Sequence, residues 1–373
     1  MKFAILGSRG FPSTYGGYET LVRYLARYLV AEGHDVTVYC RTRDEGRSSW
    51  VVEDVRCIAT RGVDSKSLST LTFGATSLID ASFRRFDAAL VLNIANGFWL
   101  PALRAAGTPI AVNTDGVEWE RGKWNRLGRA TFLGGARMTA RVANALVCDS
   151  QALGRLWQDK FGRASTFIPY GGDTESALGS ERVAALGIEP GSYLLSVARL
   201  APENHVDLTL DALDALGPSA PPAVIVGTAN FESPTEARLR ALEEAGRVKW
   251  LGHVADQELL LQLWANAGVY VHGHSVGGTN PALLQALGAG APTLALDTVF
   301  NREVLGNEEQ LFDLDPHALA AAVTAVLAST DRSRRMVDHG KAIVADRYTW
   351  AGVCSQYTRL LEGLANGTHA ATN

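Results

Sequence analysis

The sequence predicts an α/β protein built from two doubly wound domains, each a parallel sheet with helices on both faces. Short apolar runs alternate with longer amphipathic stretches along the chain, as strands and helices do in parallel α/β sheets. The alternation restarts after Gly191, and a repeated pattern indicates a second domain. The length of 373 residues agrees, because single cores rarely grow beyond about 250–300 residues.

In the first half, an apolar run at residues 2–7 predicts a strand that ends in a glycine loop. A helix is expected between Glu19 and Glu32, where apolar and aromatic side chains recur at helical spacing. Five further apolar or β-branched runs predict the remaining strands: Asp35–Cys40, Ala88–Leu92, Pro109–Asn113, Ala145–Cys148 and Thr166–Ile168.

In the second half, five runs predict strands in the same way: Tyr193–Val197, Ala223–Val226, Val248–Leu251, Val269–His272 and Pro292–Leu296. Glycine and proline between residues 173 and 190 indicate a boundary, which assigns residues 1–175 to the first domain and 176–349 to the second. The last helix, residues 350–365, is expected to pack back on the first domain, and residues 366–373 to be disordered.

Composition and charge limit the function classes. No apolar run reaches the roughly 18 residues of a transmembrane helix, and the first residues lack a signal-peptide cleavage site, so we expect a cytoplasmic protein. The four cysteines lie far apart and fit buried reduced thiols rather than a metal site. Residues 1–180 contain 22 Lys and Arg against 17 Asp and Glu, whereas residues 181–373 contain 13 against 22. The first half therefore favours an anionic partner, whereas the acidic chain as a whole indicates no nucleic acid.

The loop between the first strand and the first helix is rich in glycine. Gly16 and Gly17 allow a ligand to approach the backbone at a helix N-terminus, where N–H groups attract an anion. A glycine turn without a ligand is the alternative. A dinucleotide fingerprint fits poorly, because the loop is long and the second strand ends at Tyr39–Arg41 without the acid that holds a ribose.

A second motif, Ser196–Asp207, follows the first strand of the second domain. Arg199 is predicted at the carboxyl end of this strand, where ligands bind in open α/β sheets and where a guanidinium can grip a diphosphate through two hydrogen bonds. Glu203 and Asn204 follow Pro202 at an expected helix start. The alternative makes Glu203 a first-turn acid that interacts with the helix dipole.

The third motif, His272–Pro292, is a strand followed by a glycine loop and a helix. Gly277 and Gly278 expose backbone amides that suit a diphosphate or sugar hydroxyls. Asn280 is predicted as the N-cap and Pro281 as the first helical residue.

Two patterns suggest a metal but are better explained otherwise. His253, His272 and His274 are not joined by an acid, so we predict no metal site there. The pair Asp313 and Asp315 precedes a helix that starts at Pro316, and helix capping is the favoured role.

Pieces along nearly the whole chain resemble glycosyltransferases of the GT-B fold in the large retaining family four. They are Gly16–Gly17–x–Glu19, GHDVTVYC, IPYGGD (168–173), ARLAPEN (198–204), LGHVADQEL (251–259) and NPALLQALGAGAP. The bacterial rhamnosyltransferase-like subgroup is the most similar, through DGVEWERGKW (115–124), PEN, HGHSVGGTNP and FNREVLG (300–306). The resemblance implies two Rossmann-like domains that face each other across a cleft, with the acceptor on the first and the nucleotide sugar on the second.

The resemblance also implies roles for individual residues. The residues implied to bind the donor are Gly16, Gly17, Arg199, Asn204, His253, Val254, Gly277, Gly278, Thr279, Asn280 and Gln285. Within this set, Arg199 would bind phosphate, and the segment around His253 would face the base. The broad family has two glutamates where this chain has Gly277 and Gln285. Gln285 can still hydrogen-bond a ribose, but without charge, and charge-assisted bonds are about twice as strong.

Carboxylates and cations cluster in residues 113–142. Asp115, Glu118 and Glu120 lie in loop-like sequence after a strand, and residues 119–142 hold six Arg and Lys against one Glu. This blend suits a phosphate-bearing acceptor at a membrane surface, and a solvated basic helix is the alternative. Residues predicted to contact the acceptor are Tyr15, Glu118 and Arg121.

The resemblance thus implies a retaining glycosyltransferase that needs no metal or cofactor. It is expected to transfer a sugar to a glycan, glycolipid or other hydroxyl, and dTDP-rhamnose is the first candidate donor. The predicted catalytic residues are Arg199 on the leaving diphosphate, Glu203 on the donor sugar and Asp115 on the acceptor. The alternatives are a nucleotide-sugar epimerase of the same fold and a non-catalytic nucleotide-sugar-binding protein. Peripheral contact with the inner membrane through residues 119–142 is also expected.

Overall fold

A computed structural model describes residues 1–12, 16–41, 48–63, 69–120, 125–174, 178–229 and 233–368. It divides the chain into two compact units, Met1–Tyr170 with Trp350–Asn373, and Gly171–Thr349. Each unit contains one sheet with helices, which confirms the predicted α/β class. No described helix is long and apolar enough to cross a membrane.

The sheet of the first unit has eight strands in the order β3-β4-β2-β1-β5-β6-β7-β8. The strands are β1 Lys2–Leu6, β2 Asp35–Arg41, β3 Ser49–Val52, β4 Val55–Thr60, β5 Ala88–Leu92, β6 Ile110–Asn113, β7 Ala145–Cys148 and β8 Thr166–Phe167. Its helices are α1 Gly17–Ala31, α2 Ser69–Ser82, α3 Leu100–Ala105, α4 Arg126–Val142 and α5 Gln151–Phe161. All pairings are parallel except β3 with β4.

The β3–β4 hairpin was not predicted from the sequence. Its two turn residues, Glu53 and Asp54, both have positive φ, +50° and +59°. Two-residue hairpins with a type I′ turn require this conformation at both positions, and Asn-Gly or Asp-Gly are the usual residues that provide it. The dipeptide Glu-Asp is not a usual hairpin turn sequence, so the hairpin is recognised from the structure, by the antiparallel pairing of β3 with β4, in which Trp50 lies opposite Cys57.

The sheet of the second unit has six parallel strands in the order β11-β10-β9-β12-β13-β14. They are β9 Leu194–Val197, β10 Ala223–Val226, β11 Val248–Trp250, β12 Val269–His272, β13 Thr293–Leu296 and β14 Leu311–Phe312. The helices are α6 Glu181–Ala185, α7 Val206–Leu216, α8 Pro234–Glu244, α9 Gln257–Ala265, α10 Pro281–Ala289, α11 Val299–Leu305, α12 Pro316–Leu327 and α13 Thr330–Arg347. β14 was missed because two residues show no periodicity.

Apolar side chains cover both faces of this second sheet. Leu194 and Val271 belong to one buried cluster, whereas Leu195 and Tyr270 belong to another. Because successive side chains of a strand point to opposite faces, the two clusters lie on the two sides of the sheet. The near-continuous apolar runs of these strands follow from this double burial.

The chain passes between the units earlier than the sequence predicts. Ile168 still donates its N–H to Cys148 O at 3.0 Å in the first unit, whereas Gly172 donates to Tyr348 O at 2.7 Å in the second. The division therefore falls after Tyr170 rather than after residue 175. The last backbone bond to the first unit is made before this point, and the glycines between residues 173 and 190 come after it.

The last helix, α14 Trp350–Ala365, belongs to the first unit. The Trp350 ring stacks on Tyr24 of α1 with centroids 4.3 Å apart and an interplanar angle of 2°. Residues 366–368 were predicted to be disordered, but the N–H of Thr368 donates to Gly363 O at 2.9 Å and closes the helix. Residues 369–373 lie outside the described part.

We expect Trp350→Ala to lower the free energy of unfolding of the first unit by about 3–5 kcal/mol, because a buried indole and its stacking contact are lost. Phe83→Ala is the matched control, since Phe83 is 85% exposed and surface truncations usually change stability by less than about 0.5 kcal/mol. Urea denaturation followed by tryptophan fluorescence measures both, and equal effects would contradict the packing described.

Candidate functional sites

Polar residues gather at the carboxyl edge of the first sheet. Asn93 follows β5, Asp115 comes two residues after β6, and Asp149 follows β7. Because these strands are parallel, their carboxyl ends meet at one edge, which is where ligands bind in open α/β sheets. Asn93 and Asp115 have positive φ, +73° and +56°. Non-glycine residues rarely adopt this conformation, and those that do are often found at functional sites.

Asn113 connects the residues at this edge. Its Oδ1 accepts the N–H of Asp115 at 3.0 Å and the hydroxyl of Tyr18 at 3.5 Å. Its Nδ2 donates to the hydroxyl of Tyr357, on α14, at 2.7 Å. Tyr18 Oη also accepts the N–H of Asn93 at 3.1 Å, so one network spans two strand ends and two helices.

The carboxylate of Asp115 lies close to two tyrosines. Burial raises the pKa of Tyr18 well above its ordinary value, and the negative charge of Asp115 raises it further. The same two causes, in the same order, raise the pKa of Tyr170. Both hydroxyls therefore stay protonated and can donate hydrogen bonds beside a half-buried carboxylate.

The glycine loop before α1 contains an acid in its described part. Glu19 is buried in the first turn, and its Oε1 accepts the N–H of Arg9 at 3.0 Å. Gly16 has φ +113°, and a Cβ there would lie 2.6 Å from Glu19 Oε2. An anion bound at this helix N-terminus would thus lie close to the carboxylate of Glu19, which would repel it. The prediction that Gly16 and Gly17 bind an anion did not include this carboxylate. Tyr15 lies outside the described residues.

The segment after Asp115 is more buried than its sequence indicates. Residues 118–120 form a 3₁₀ turn rather than a loop, and Glu118 is only 4% exposed. Trp119 anchors the turn by packing edge-on to Trp157, with ring centroids 6.3 Å apart, under the ammonium of Lys160. Direct contact between Glu118 and an acceptor is therefore disfavoured. Arg121 lies outside the described residues.

In the second unit, the loop after β9 presents Arg199. Its side chain is exposed, and among the residues the structure describes its guanidinium has no hydrogen-bond or ion-pair partner. The loop backbone is held from two sides. Leu200 N–H donates to Thr228 O at 3.2 Å, and Asn204 Nδ2 donates to Arg199 O at 2.8 Å.

Asn204 was predicted to contact the donor, and the structure shows that its buried amide supports the Arg199 loop. Glu203 does not lie in the first turn of a long helix, since Pro202–Asn204 form a 3₁₀ turn that His205, with φ +48°, separates from α7. The carbonyl of Glu203 accepts both the N–H and the hydroxyl of Ser275, at 2.9 and 3.0 Å. These bonds join the loops after β9 and β12.

The loop after β12 has the predicted form. Gly277 has φ +127°, Thr279 is 3% exposed, and Asn280 caps α10 by accepting the N–H of Ala282 at 2.9 Å. Pro281 is the first helical residue. The prediction of the helix start is therefore confirmed. Gln285 lies one turn further on and is half-buried.

The histidines do not form a metal site in the described part of the chain, where no group of three or more metal-binding side chains occurs. His272 and His274 instead stack, with centroids 4.3 Å apart and an interplanar angle of 12°. Burial, with a smaller contribution from His274, lowers the pKa of His272 well below its ordinary value, so it is neutral. His253 is exposed and Val254 half-buried, both after β11.

A groove of about 630 Å³ elsewhere in the second unit is not part of this site. Its lining residues include Ser192, Pro222 and Val248, which lie at or before the first residues of β9, β10 and β11. It therefore opens at the amino edge of the sheet, opposite the edge that carries Arg199.

Comparison with known proteins gives consistent results. The family model "Glycosyl transferases group 1" matches residues 181–343, and the model "Glycosyltransferase Family 4" matches residues 15–176. A search of curated proteins found no match.

Solved structures match over nearly the whole chain. Sucrose-phosphate synthase from Thermosynechococcus elongatus is 18% identical with a TM-score of 0.83, over 98% of this chain and 99% of that one. HepE from Anabaena in complex with UDP-glucose is 17% identical with a TM-score of 0.76, over 97% and 99%. WaaG, a glycosyltransferase involved in lipopolysaccharide biosynthesis, is 15% identical with a TM-score of 0.73, over 97% and 100%. These likenesses establish the fold.

We expect Gly227→Ala to disturb the Arg199 loop. Gly227 has φ +135°, and an added Cβ would collide with the carbonyl oxygen of Ala198, so the variant should lose at least about 2–3 kcal/mol of stability. Gly246→Ala is the control, because Gly246 is also left-handed, at φ +68°, but has open space around it and should cost only about 1 kcal/mol. Thermal unfolding compares the two variants, and similar losses would show that the close approach to Ala198 is unimportant.

Proposed function

We propose that the chain is a GT-B glycosyltransferase similar to those of family four and that it transfers a sugar from a nucleotide-sugar donor on the second unit to a hydroxyl acceptor on the first. The observation that carries this proposal is Arg199, exposed at the carboxyl end of β9 on a loop held by Thr228 and Asn204. An exposed guanidinium on a loop whose backbone is held in place suits a diphosphate at this edge.

On the donor side, Arg199 and the amides of Gly277, Gly278 and Thr279 stabilise the negative charge that develops on the leaving diphosphate. Because these groups stabilise the charge on the leaving diphosphate, the proposed transfer requires neither a metal ion nor another cofactor. Glu203 contacts the donor sugar from the adjoining turn, and the segment around His253 faces the base. The sugar is transferred with retention of configuration, as the resemblance to the retaining family implies.

dTDP-rhamnose is our first candidate donor, because the DGVEWERGKW and HGHSVGGTNP segments resemble rhamnosyltransferases. UDP-sugars come next. Structural neighbours were solved with UDP, UDP-glucose and ADP, so a nucleoside diphosphate is the group shared by all candidates.

On the acceptor side, Asp115 orients or deprotonates the attacking hydroxyl. Its carboxylate is half-buried and lies close to the protonated hydroxyls of Tyr18 and Tyr170. Tyr15 and Arg121 stay predictions for acceptor contacts.

A lipid-linked or glycan acceptor at the inner membrane surface fits the exposed face of α4. Arg126, Arg129, Arg137 and Arg141 are all exposed, and Leu127 is 76% exposed beside them. Cations next to an exposed apolar side chain favour peripheral binding to anionic lipid.

A thermal-shift screen of nucleotide sugars, followed by transfer assays on a panel of glycan and lipid-linked acceptors, tests the proposal. Arg199→Ala should weaken binding of the best donor about 10- to 100-fold, because charge-assisted bonds to phosphate are lost. Arg335→Ala is the control, since Arg335 is also exposed and lies on α13 of the same unit. Donor binding that is the same in both variants would reject the role of Arg199.

The acceptor assay also separates the remaining alternatives. Isomerised nucleotide sugar formed without an acceptor would indicate an epimerase. Donor binding without transfer or hydrolysis would indicate a non-catalytic nucleotide-sugar-binding protein.

We expect Gln285→Glu to tighten donor binding roughly 5- to 10-fold, because a carboxylate would form charge-assisted bonds to ribose hydroxyls where the amide forms neutral ones. Gln285→Ala should weaken binding by a similar factor, since both bonds are removed. Isothermal titration with the donor from the screen measures both. If neither variant changes the dissociation constant, Gln285 does not contact the ribose.

A further inference from the structure

We propose that Asn113 is a positioning residue that holds Asp115 for the acceptor, and that Tyr357 of the C-terminal helix completes this arrangement by holding Asn113. The inference rests on the proposed function through the role of Asp115. It adds two residues that sequence motifs did not single out, and it assigns α14 a part in the acceptor site.

The orientation of the Asn113 amide is determined by its neighbours. Oδ1 faces two donors, the Asp115 N–H at 3.0 Å and the Tyr18 hydroxyl at 3.5 Å, and Nδ2 faces the Tyr357 hydroxyl at 2.7 Å. A flipped amide would place its NH₂ group against the N–H of Asp115, donor against donor. Asn113 is 2% exposed, so water cannot substitute for these partners.

The bond to Asp115 acts on an unfavourable backbone conformation. Asp115 has φ +56°, and an L-residue with a Cβ occupies this region at a cost in free energy. An asparagine that accepts the N–H two residues ahead forms an Asx-turn, which stabilises such a bend. Without it, the backbone of Asp115 can relax and its carboxylate moves.

Tyr357 reaches the site from the other end of the chain. It lies 244 positions after Asn113 and is fully buried on α14. Burial is the main cause that raises the pKa of Tyr357, so the hydroxyl stays protonated and accepts from Nδ2 through an oxygen lone pair. The stacking of Trp350 on Tyr24 holds the start of the same helix.

The other titratable groups around this network are Tyr18, Tyr170, Asp149, Glu19, Cys148 and Cys354. Burial raises the pKa of Cys148 to about 12, and burial likewise raises the pKa of both tyrosines, so these three groups are protonated at neutral pH. The carboxylic acids of this region are Asp115, Asp149 and Glu19.

The test compares Asn113→Ala, Asn113→Asp, Tyr357→Phe and the control Asn144→Ala, using the donor and acceptor found for the wild-type protein. Asn144 is matched because it also holds β6, by accepting the N–H of Ile110 at 3.0 Å at the amino end of that strand. Transfer kinetics over a range of pH and donor affinity by thermal shift are measured for each variant.

Asn113→Ala should lower kcat about 100-fold, the effect expected of a displaced catalytic group, and leave donor affinity within about twofold, since the donor binds the other unit. Tyr357→Phe should lower kcat by a smaller factor, and its effect should disappear in the Asn113→Ala background, because the two residues act through one bond. Asn144→Ala should change stability but not kcat.

The pH profile of Asn113→Asp distinguishes a positioning role from a purely structural one, which would leave the profile unchanged. The substituted carboxylate keeps an oxygen that accepts the Asp115 N–H, so kcat should recover at high pH, where this carboxylate is ionised. Its added carboxylate should raise the pKa of Asp115 by like-charge repulsion, and the acidic limb of the pH profile should move to higher pH. An unmoved profile, a wild-type kcat in Asn113→Ala, or additive effects of the two substitutions would overturn the inference.

One measurement does not depend on transfer activity. The amide resonance of Asp115, assigned by selective labelling, should shift in both Asn113→Ala and Tyr357→Phe. If the wild-type protein transfers no sugar but both shifts occur, the proposed function fails and the positioning network stands. If neither variant moves the resonance, the positioning network is wrong, whatever the transfer activity. If Asn113→Ala does not fold, the resonance in Tyr357→Phe alone tests the network.

Discussion

Parallel pairing of the central strands is the constraint on which both candidate sites depend. In a parallel sheet all strands end at one edge, and the connecting segments at that edge must meet. β5, β6 and β7 therefore bring Asn93, Asp115 and Asp149 together, and β9 and β12 bring Arg199 close to the glycine loop. Because apolar side chains cover both faces of the second sheet, a slip of register would misplace a whole strand and every loop attached to it.

Backbone and amide hydrogen bonds hold the loops at these edges in the described part of the chain. Asn204 supports the carbonyl of Arg199, Ser275 supports that of Glu203, and Asn113 supports the N–H of Asp115. The bond to the carbonyl of Arg199 leaves its guanidinium without a partner among the described residues, as binding of a phosphate requires. The pattern is the same in both units, although the residues differ.

Electrostatics distinguish the two units. The first unit places Asp115 among protonated tyrosines, an arrangement suited to accepting and passing on a hydroxyl proton. The second presents an exposed arginine and glycine amides, suited to negative charge. Among the described residues, exposed cations of the first unit are prominent on α4, at Arg126, Arg129, Arg137 and Arg141. The anionic partner expected from total charge stays a prediction.

The sequence by itself determined the α/β class, most of the central strands and the start of α10. β5, β7, β10 and β12 occupy the predicted residues, because a strand buried on both faces must be apolar throughout and is therefore visible in the sequence. Asn280 and Asp315 cap their helices as predicted, because capping depends on residues only two or three positions apart.

Only the tertiary structure decided the features that depend on residues far apart in the chain. The β3–β4 hairpin has turn residues without the usual signal, Glu118 is buried next to the packed ring of Trp119, and the amide of Asn204 supports the Arg199 loop. The bond between Asn113 and Tyr357 joins residues 244 positions apart. No local pattern encodes such a contact, since it forms only when α14 packs within the first unit and burial requires the polar atoms to find partners inside the protein.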